Sequence, residues 1–157
     1  MVIQRWQNLF LLIATLLMAF YAFMPVAGFT FNGISYELSL LGVENLLPAS
    51  GNDASVSSLT PTVVSWPLFA LAMLVAVLAL VAIFKFKQLK LQKTLCWACI
   101  ILTISLIASM LVLINGWSDL RYYFSNCMPI LAIVAFAFAI KGITKDQKTL
   151  SSYERLR

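Results

Sequence analysis

Ten residues at positions 84–93, F-K-F-K-Q-L-K-L-Q-K, place four lysines between two long runs that carry no charge. Those runs, residues 63–84 and 94–115, are each long enough at about 1.5 Å per residue to cross the hydrocarbon core of a bilayer. A lysine-rich stretch between two such runs is the pattern of a cytoplasmic connection, and it orients the whole chain. Residues 6–24 and 122–140 are uncharged in the same way. The expected spans are therefore about 6–24, 63–84, 94–115 and 122–140, with an outer loop over 25–62 and a cytoplasmic tail over 141–157.

Composition agrees. Of the 157 residues, 62% are hydrophobic and only 11% charged, against about 25% charged in soluble domains. One membrane domain over 1–157 is expected. The net charge of +5 could suggest nucleic acid, but the basic residues flank apolar runs and form no soluble basic stripe. No nucleic-acid partner is expected. Arg5, an apolar stretch and Pro25-Val26-Ala27-Gly28 imitate a cleaved signal. The apolar stretch exceeds the roughly 7–15 residues usual in such signals, so a retained first helix is expected.

Within the outer loop, G-F-T-F-N-G-I-S-Y-E-L-S-L alternates apolar and polar residues on both sides of Asn32-Gly33. Asn-Gly supplies the positive φ angles of a tight hairpin turn. Residues 40–47 are apolar enough to lie on the membrane surface or cap the helices. Residues 48–55 are rich in turn formers and read as a mobile tip. The fold expected is thus all-α: a four-transmembrane-helix bundle with a short β-hairpin-like outer loop.

Counting by side, the N-terminal segment, the lysine loop and the tail hold ten of the eleven Lys and Arg residues. The outer segments hold Arg121 and four of the six acids, Glu37, Glu44, Asp53 and Asp119. Both termini are therefore expected in the cytoplasm. Trp6, Trp66, Trp97 and Trp117 fall near span ends, where an amphipathic indole prefers to sit.

Lipid gives helices no hydrophobic drive to associate, so small residues mark close approach. Ala72 with Ala76, Ser105 with Ser109, and Ala132 with Ala135 and Ala139 read as helix–helix seams. No Asp, Glu, Lys, Arg or His falls inside the expected spans, which argues against an ion-coupled pump.

There are three cysteines and no histidine, which removes the commonest metal ligand and general base. Cys96-Trp97-Ala98-Cys99 has the spacing of a redox pair, yet it lies in an apolar helix near the reducing side, where a thiol behaves as a small hydrophobe. Cys127 lies near the opposite face. Arg121 reads as an interfacial anchor paired with Asp119. No nucleotide loop, metal spacing or nucleophile motif is present, so no catalytic, cofactor or metal-binding residues are assigned. In the tail, Ser151 and Glu154 have capping-box spacing, and Leu150, Tyr153 and Leu156 recur at helical intervals. Two readings stay open there: a short amphipathic helix, or a frayed tail.

Two stretches carry a resemblance: Ile3-Gln4-Arg5-Trp6-Gln7 before the first span, and Lys145-Asp146-Gln147 with the terminal Ser152-Tyr153-Glu154-Arg155-Leu156-Arg157. Together with the aromatic-to-proline stretch 122–129, they resemble the bacterial family called domain of unknown function 4293. The resemblance implies a small four-span protein of the bacterial inner membrane and no particular activity. The chain departs from that pattern by an extra Val2 and by Gln147 and Ser151.

The expected role is a non-enzymatic accessory or scaffold subunit acting through a basic cytoplasmic face. Gln4, Arg5, Lys85, Lys87, Lys90, Lys93, Glu154, Arg155 and Arg157 are its candidate residues. The bilayer, anionic lipid headgroups and other membrane protein subunits are its expected partners. The alternatives are a membrane thiol oxidoreductase using Cys96 and Cys99, or a carrier of a small neutral solute or lipid.

Overall fold

A computed structural model describes residues 3–31, 34–45, 65–85, 88–114 and 121–155. Four helices dominate it: α1 (Ile3–Phe23), α2 (Ser65–Phe84), α3 (Leu89–Ile114) and α4 (Cys127–Arg155). All four are long and apolar enough to cross a membrane. Helix α1 packs on α2 and α4, and α3 packs on the same two.

Over its apolar stretch each helix carries apolar residues on its inner and outer sides alike, with its smaller or better-fitting residues turned inward. Helix α1 buries Leu11, Ala14, Met18, Tyr21 and Ala22 while Leu12, Leu16, Phe20 and Phe23 point out. Helix α2 buries Ala72, Ala76, Ala79 and Ala82, a small-residue seam that lets neighbouring backbones approach. Ala132, Ala135 and Ala139 do the same on α4, beside the fully buried Phe136. An outer surface as apolar as the interior is what a helix bundle surrounded by lipid requires.

The seam expected at Ser105 and Ser109 is corrected. Both residues are exposed, and α3 instead turns Cys96, Cys99, Thr103, Leu106 and Met110 inward. The two hydroxyls donate to the carbonyls of Leu102 and Leu106, 2.9 Å away in each case. Satisfied within their own helix, they cost little on an apolar surface.

At one end lies a four-stranded sheet in the order β3-β2-β1-β4. Strands β1 (Pro25–Phe31) and β2 (Ile34–Ser39) are antiparallel with Phe31 opposite Ile34. That register leaves two residues between the strands, the length a tight hairpin needs. Asn32 and Gly33 themselves lie outside the described residues, as do positions 48–55 of the expected mobile tip. Of residues 40–47, positions 46 and 47 lie outside the described residues, and Leu40 is buried in the same core as the helices. Ser39 pairs with Gly42, and β3 (Gly42–Asn45) continues the sheet. Gly42 has φ 155°, a conformation open to glycine and strained for other residues. Of the two turn residues, Leu40 is buried and Leu41 exposed.

Strand β4 (Arg121–Tyr122) pairs with β1, Arg121 opposite Gly28, and a single 3-10 turn (Phe124–Asn126) leads into α4. The fourth helix therefore starts at Cys127 and not at 122. Pro129 fits its first turn, where a missing N–H removes no helical hydrogen bond. Arg121 thus belongs to a strand; its expected partner Asp119 lies outside the described residues.

Two further boundaries move. Helix α3 begins at Leu89, so Lys90 and Lys93 stand on its first turns and the expected ten-residue loop is much shorter. Helix α4 runs through to Arg155, so the tail is no separate element and Ser151 lies inside the helix rather than capping one. The inward phase of Ala135, Ala139, Ile143 and Asp146 carries the helix past the apolar run.

Candidate functional site

The basic segments converge at the end of the bundle opposite the sheet, and two side-chain hydrogen bonds hold them there. Gln7 on α1 lies in phase with Leu11, Ala14 and Met18, so it points inward with them. Asp146 lies in phase with Ala139 and Ile143 on α4. The two meet: Gln7 Nε2 donates to Asp146 Oδ2, and both residues are buried. At the next residue of α1, Gln92 on α3 donates from Nε2 to Asn8 Oδ1 at 3.4 Å, a long contact on a fully buried glutamine. Helix α1 is thereby joined by polar side chains to both α4 and α3.

Gly142 completes the α1–α4 junction. A Cβ at position 142 would stand 2.7 Å from Gln7 Cγ. The amide chain lies across the glycine and reaches the carboxylate one turn further along. Nothing larger than hydrogen fits beneath it without moving Gln7.

Around this buried layer stand the candidate residues of the basic face. Gln4 and Arg5 belong to the first turn of α1, and Glu154 and Arg155 to the last turn of α4. Lys85 follows α2 and is exposed, Lys90 is exposed on α3, and Lys93 is partly buried. Lys87 and Arg157 lie outside the described residues. Helix α4 adds Lys141, Lys145 and Lys148, all exposed.

The cysteines are dispersed. Cys96 and Cys99 are free, fully buried thiols, with Cys99 Sγ 4.0 Å from the Val75 carbonyl of α2. Cys127 is free and exposed at the sheet end. Among the described residues, no group of three or more Cys, Asp or Glu is placed to hold a metal ion.

A family model described as Domain of unknown function (DUF4293) matches residues 3–156, nearly the whole chain. The chain belongs to this family. No curated protein matches it. The two ends on which the family resemblance rests now have a physical connection in this member. Gln7 closes the stretch Ile3–Gln7, Asp146 is the centre of Lys145-Asp146-Gln147, and the two side chains are hydrogen-bonded to each other.

Gln7, Asn8, Gln92, Gly142 and Asp146 are absent from the residues proposed from sequence. A signal existed: Gln7, Gln92 and Asp146 each occupy a position that helical phase assigns to the buried face. Assigning Asp146 to the tail, beyond the expected fourth span, hid it.

Proposed function

We propose that this member of the family is a multi-pass protein of the bacterial inner membrane with the basic end of its bundle in the cytoplasm. It acts without catalysis, as an accessory or scaffold subunit. Its working surface is the basic face built from Gln4, Arg5, Lys85, Lys87, Lys90, Lys93, Glu154, Arg155 and Arg157, which meets anionic headgroups and other membrane subunits. The observation that carries the reading is the convergence of α1, α3 and α4 on the buried Gln7–Asp146 contact and the partly buried Asn8–Gln92 contact. A partner-binding face benefits from being held rigid before it binds, because ordering it afterwards costs affinity. The fully buried state of Cys96 and Cys99 supports a packing role for both thiols.

Purification in mild detergent, with co-purifying proteins identified by mass spectrometry, tests this. A stoichiometric membrane partner, lost on reversing the charges of Lys85 and Lys90, is the expected result. Recovery of the chain as a lone monomer, or a function abolished by Cys99→Ser, contradicts it. Orientation is checked with single cysteines at positions 53 and 90 in a cysteine-free background. An impermeant thiol reagent added from outside should label position 53 and spare position 90.

A further inference from the structure

We infer that the outward face of α4 is a binding site for one anionic phospholipid, its acyl chain along Ile130, Leu131, Val134 and Phe138 and its headgroup phosphate between Lys141 and Lys145. The inference rests on the reading that the bundle spans a membrane. It concerns a face that the proposed protein–protein surface does not use.

All six residues are exposed; Ile130 and Leu131 stand four and three residues before Val134, and the rest follow at spacings of three and four, so they form one stripe along the helix. The opposite side of the same helix, Ala132, Ala135, Phe136, Ala139, Ile143 and Asp146, is buried against the bundle. The stripe changes character once, between Phe138 and Lys141: apolar on the sheet side, cationic beyond. From Cys127 to Lys141 the helix rises about 21 Å, and the 3-10 turn that joins it to the sheet adds about 6 Å, to make about 27 Å in all. That is close to the roughly 30 Å of a hydrocarbon core, so Lys141 falls where acyl chains give way to headgroups.

The cation nearest the boundary is also held in place. Lys141 Nζ lies over the Phe138 ring, 5.7 Å from its centroid, an attraction between ammonium and ring face. Phe138 is in turn stacked on Phe10 of α1, with centroids 5.6 Å apart. The attraction favours this placement of the ammonium over the other rotamers of the lysine, and Lys145 stands one turn further out on the same side. A ligand that fits must be apolar over about two turns and then anionic, which is the chemistry of a phospholipid. A soluble anion would use only half the stripe, and a polar protein surface would leave the apolar half uncovered.

The test uses the full chain in mild detergent, with bound lipid counted by native mass spectrometry during titration with phosphatidylglycerol or phosphatidylcholine. The unaltered protein should hold one phosphatidylglycerol in preference to phosphatidylcholine. Each lysine near a membrane surface contributes about 1 kcal/mol towards anionic lipid, or about fivefold. K141Q/K145Q should therefore weaken phosphatidylglycerol binding about 25-fold and leave phosphatidylcholine unaffected. K85Q/K90Q, which removes equal charge from the basic face proposed above, should weaken it less than K141Q/K145Q does, and glycerol phosphate should not displace the lipid. Equal loss in both double variants, unchanged binding in K141Q/K145Q, or displacement by glycerol phosphate overturns the site. Alkaline extraction of the chain from membranes would instead overturn the spanning reading itself, so the two failures are separable.

Discussion

The two ends of the bundle are closed by different means. At the sheet end the ties run mainly through the backbone. Strand β1 pairs with β2 and β4, Tyr123 N–H donates to the Val26 carbonyl at 3.3 Å, and Ser125 and Asn126 donate to the carbonyls of Pro25 and Val26. At the basic end the ties run through long side chains, Gln7 to Asp146 and Gln92 to Asn8. Backbone pairing spreads its energy over many groups, and no single side chain is decisive. A buried carboxylate held by one amide concentrates it, because removing either partner leaves a polar group stranded. The sheet end should therefore tolerate substitution, and the basic end should not.

The largest effect expected of a single change is at Gln7. Gln7→Ala leaves the Asp146 carboxylate buried without its donor and should cost about 2–4 kcal/mol, read as loss of stability to heat or SDS in mild detergent. Asp146→Asn, which can still pair with the amide, should cost less. Gly142→Ala comes next at about 1–3 kcal/mol, because the added methyl displaces the Gln7 side chain. Most of that penalty should vanish in a Gln7→Ala background, where the obstructing Cγ is gone. An undiminished penalty there would mean that the glycine matters for another reason.

At the sheet end Tyr123 Oη donates to Glu37 Oε1 at 2.7 Å, a bond between two side chains. Tyr123→Phe should cost only about 1 kcal/mol at neutral pH. The Glu37 carboxylate accepting this hydrogen bond raises the tyrosine pKa above the ordinary 10.0. The bond's contribution is thus fully present below about pH 10 and is lost as pH rises through the higher folded-state value. The difference between Tyr123→Phe and the parent chain should narrow on alkaline titration. Smallest of all, Ser105→Ala and Ser109→Ala should each change stability by less than about 0.5 kcal/mol. A larger loss would return those residues to a helix–helix seam, in this bundle or with another chain.

The same contrast explains what could be read before the structure. The hairpin was legible because Asn32-Gly33 and the alternation around it are local signals, and the helices because their apolar runs are long and uncharged. The seams at Ala72, Ala76, Ala132, Ala135 and Ala139 followed from small residues at helical spacing. Ser105 and Ser109 satisfied the same rule and face outward, because spacing shows that two residues share a face without showing which way it points. Strands β3 and β4 are four and two residues long, and β4 finds its partner about ninety positions away in sequence, so no local pattern announced it. Gln7 and Asp146 stand 139 positions apart. Charge counting placed both at the same end, but only helical phase could have turned them towards each other.

A double-mutant cycle on Gln7→Ala and Asp146→Ala tests the central claim most directly, since that claim is that one buried contact locks the basic end together. A coupling of about 1.5–3 kcal/mol is expected, the double variant being little worse than the worse single one. Additive losses, agreeing within about 0.5 kcal/mol, would show that the two residues act independently and would contradict it.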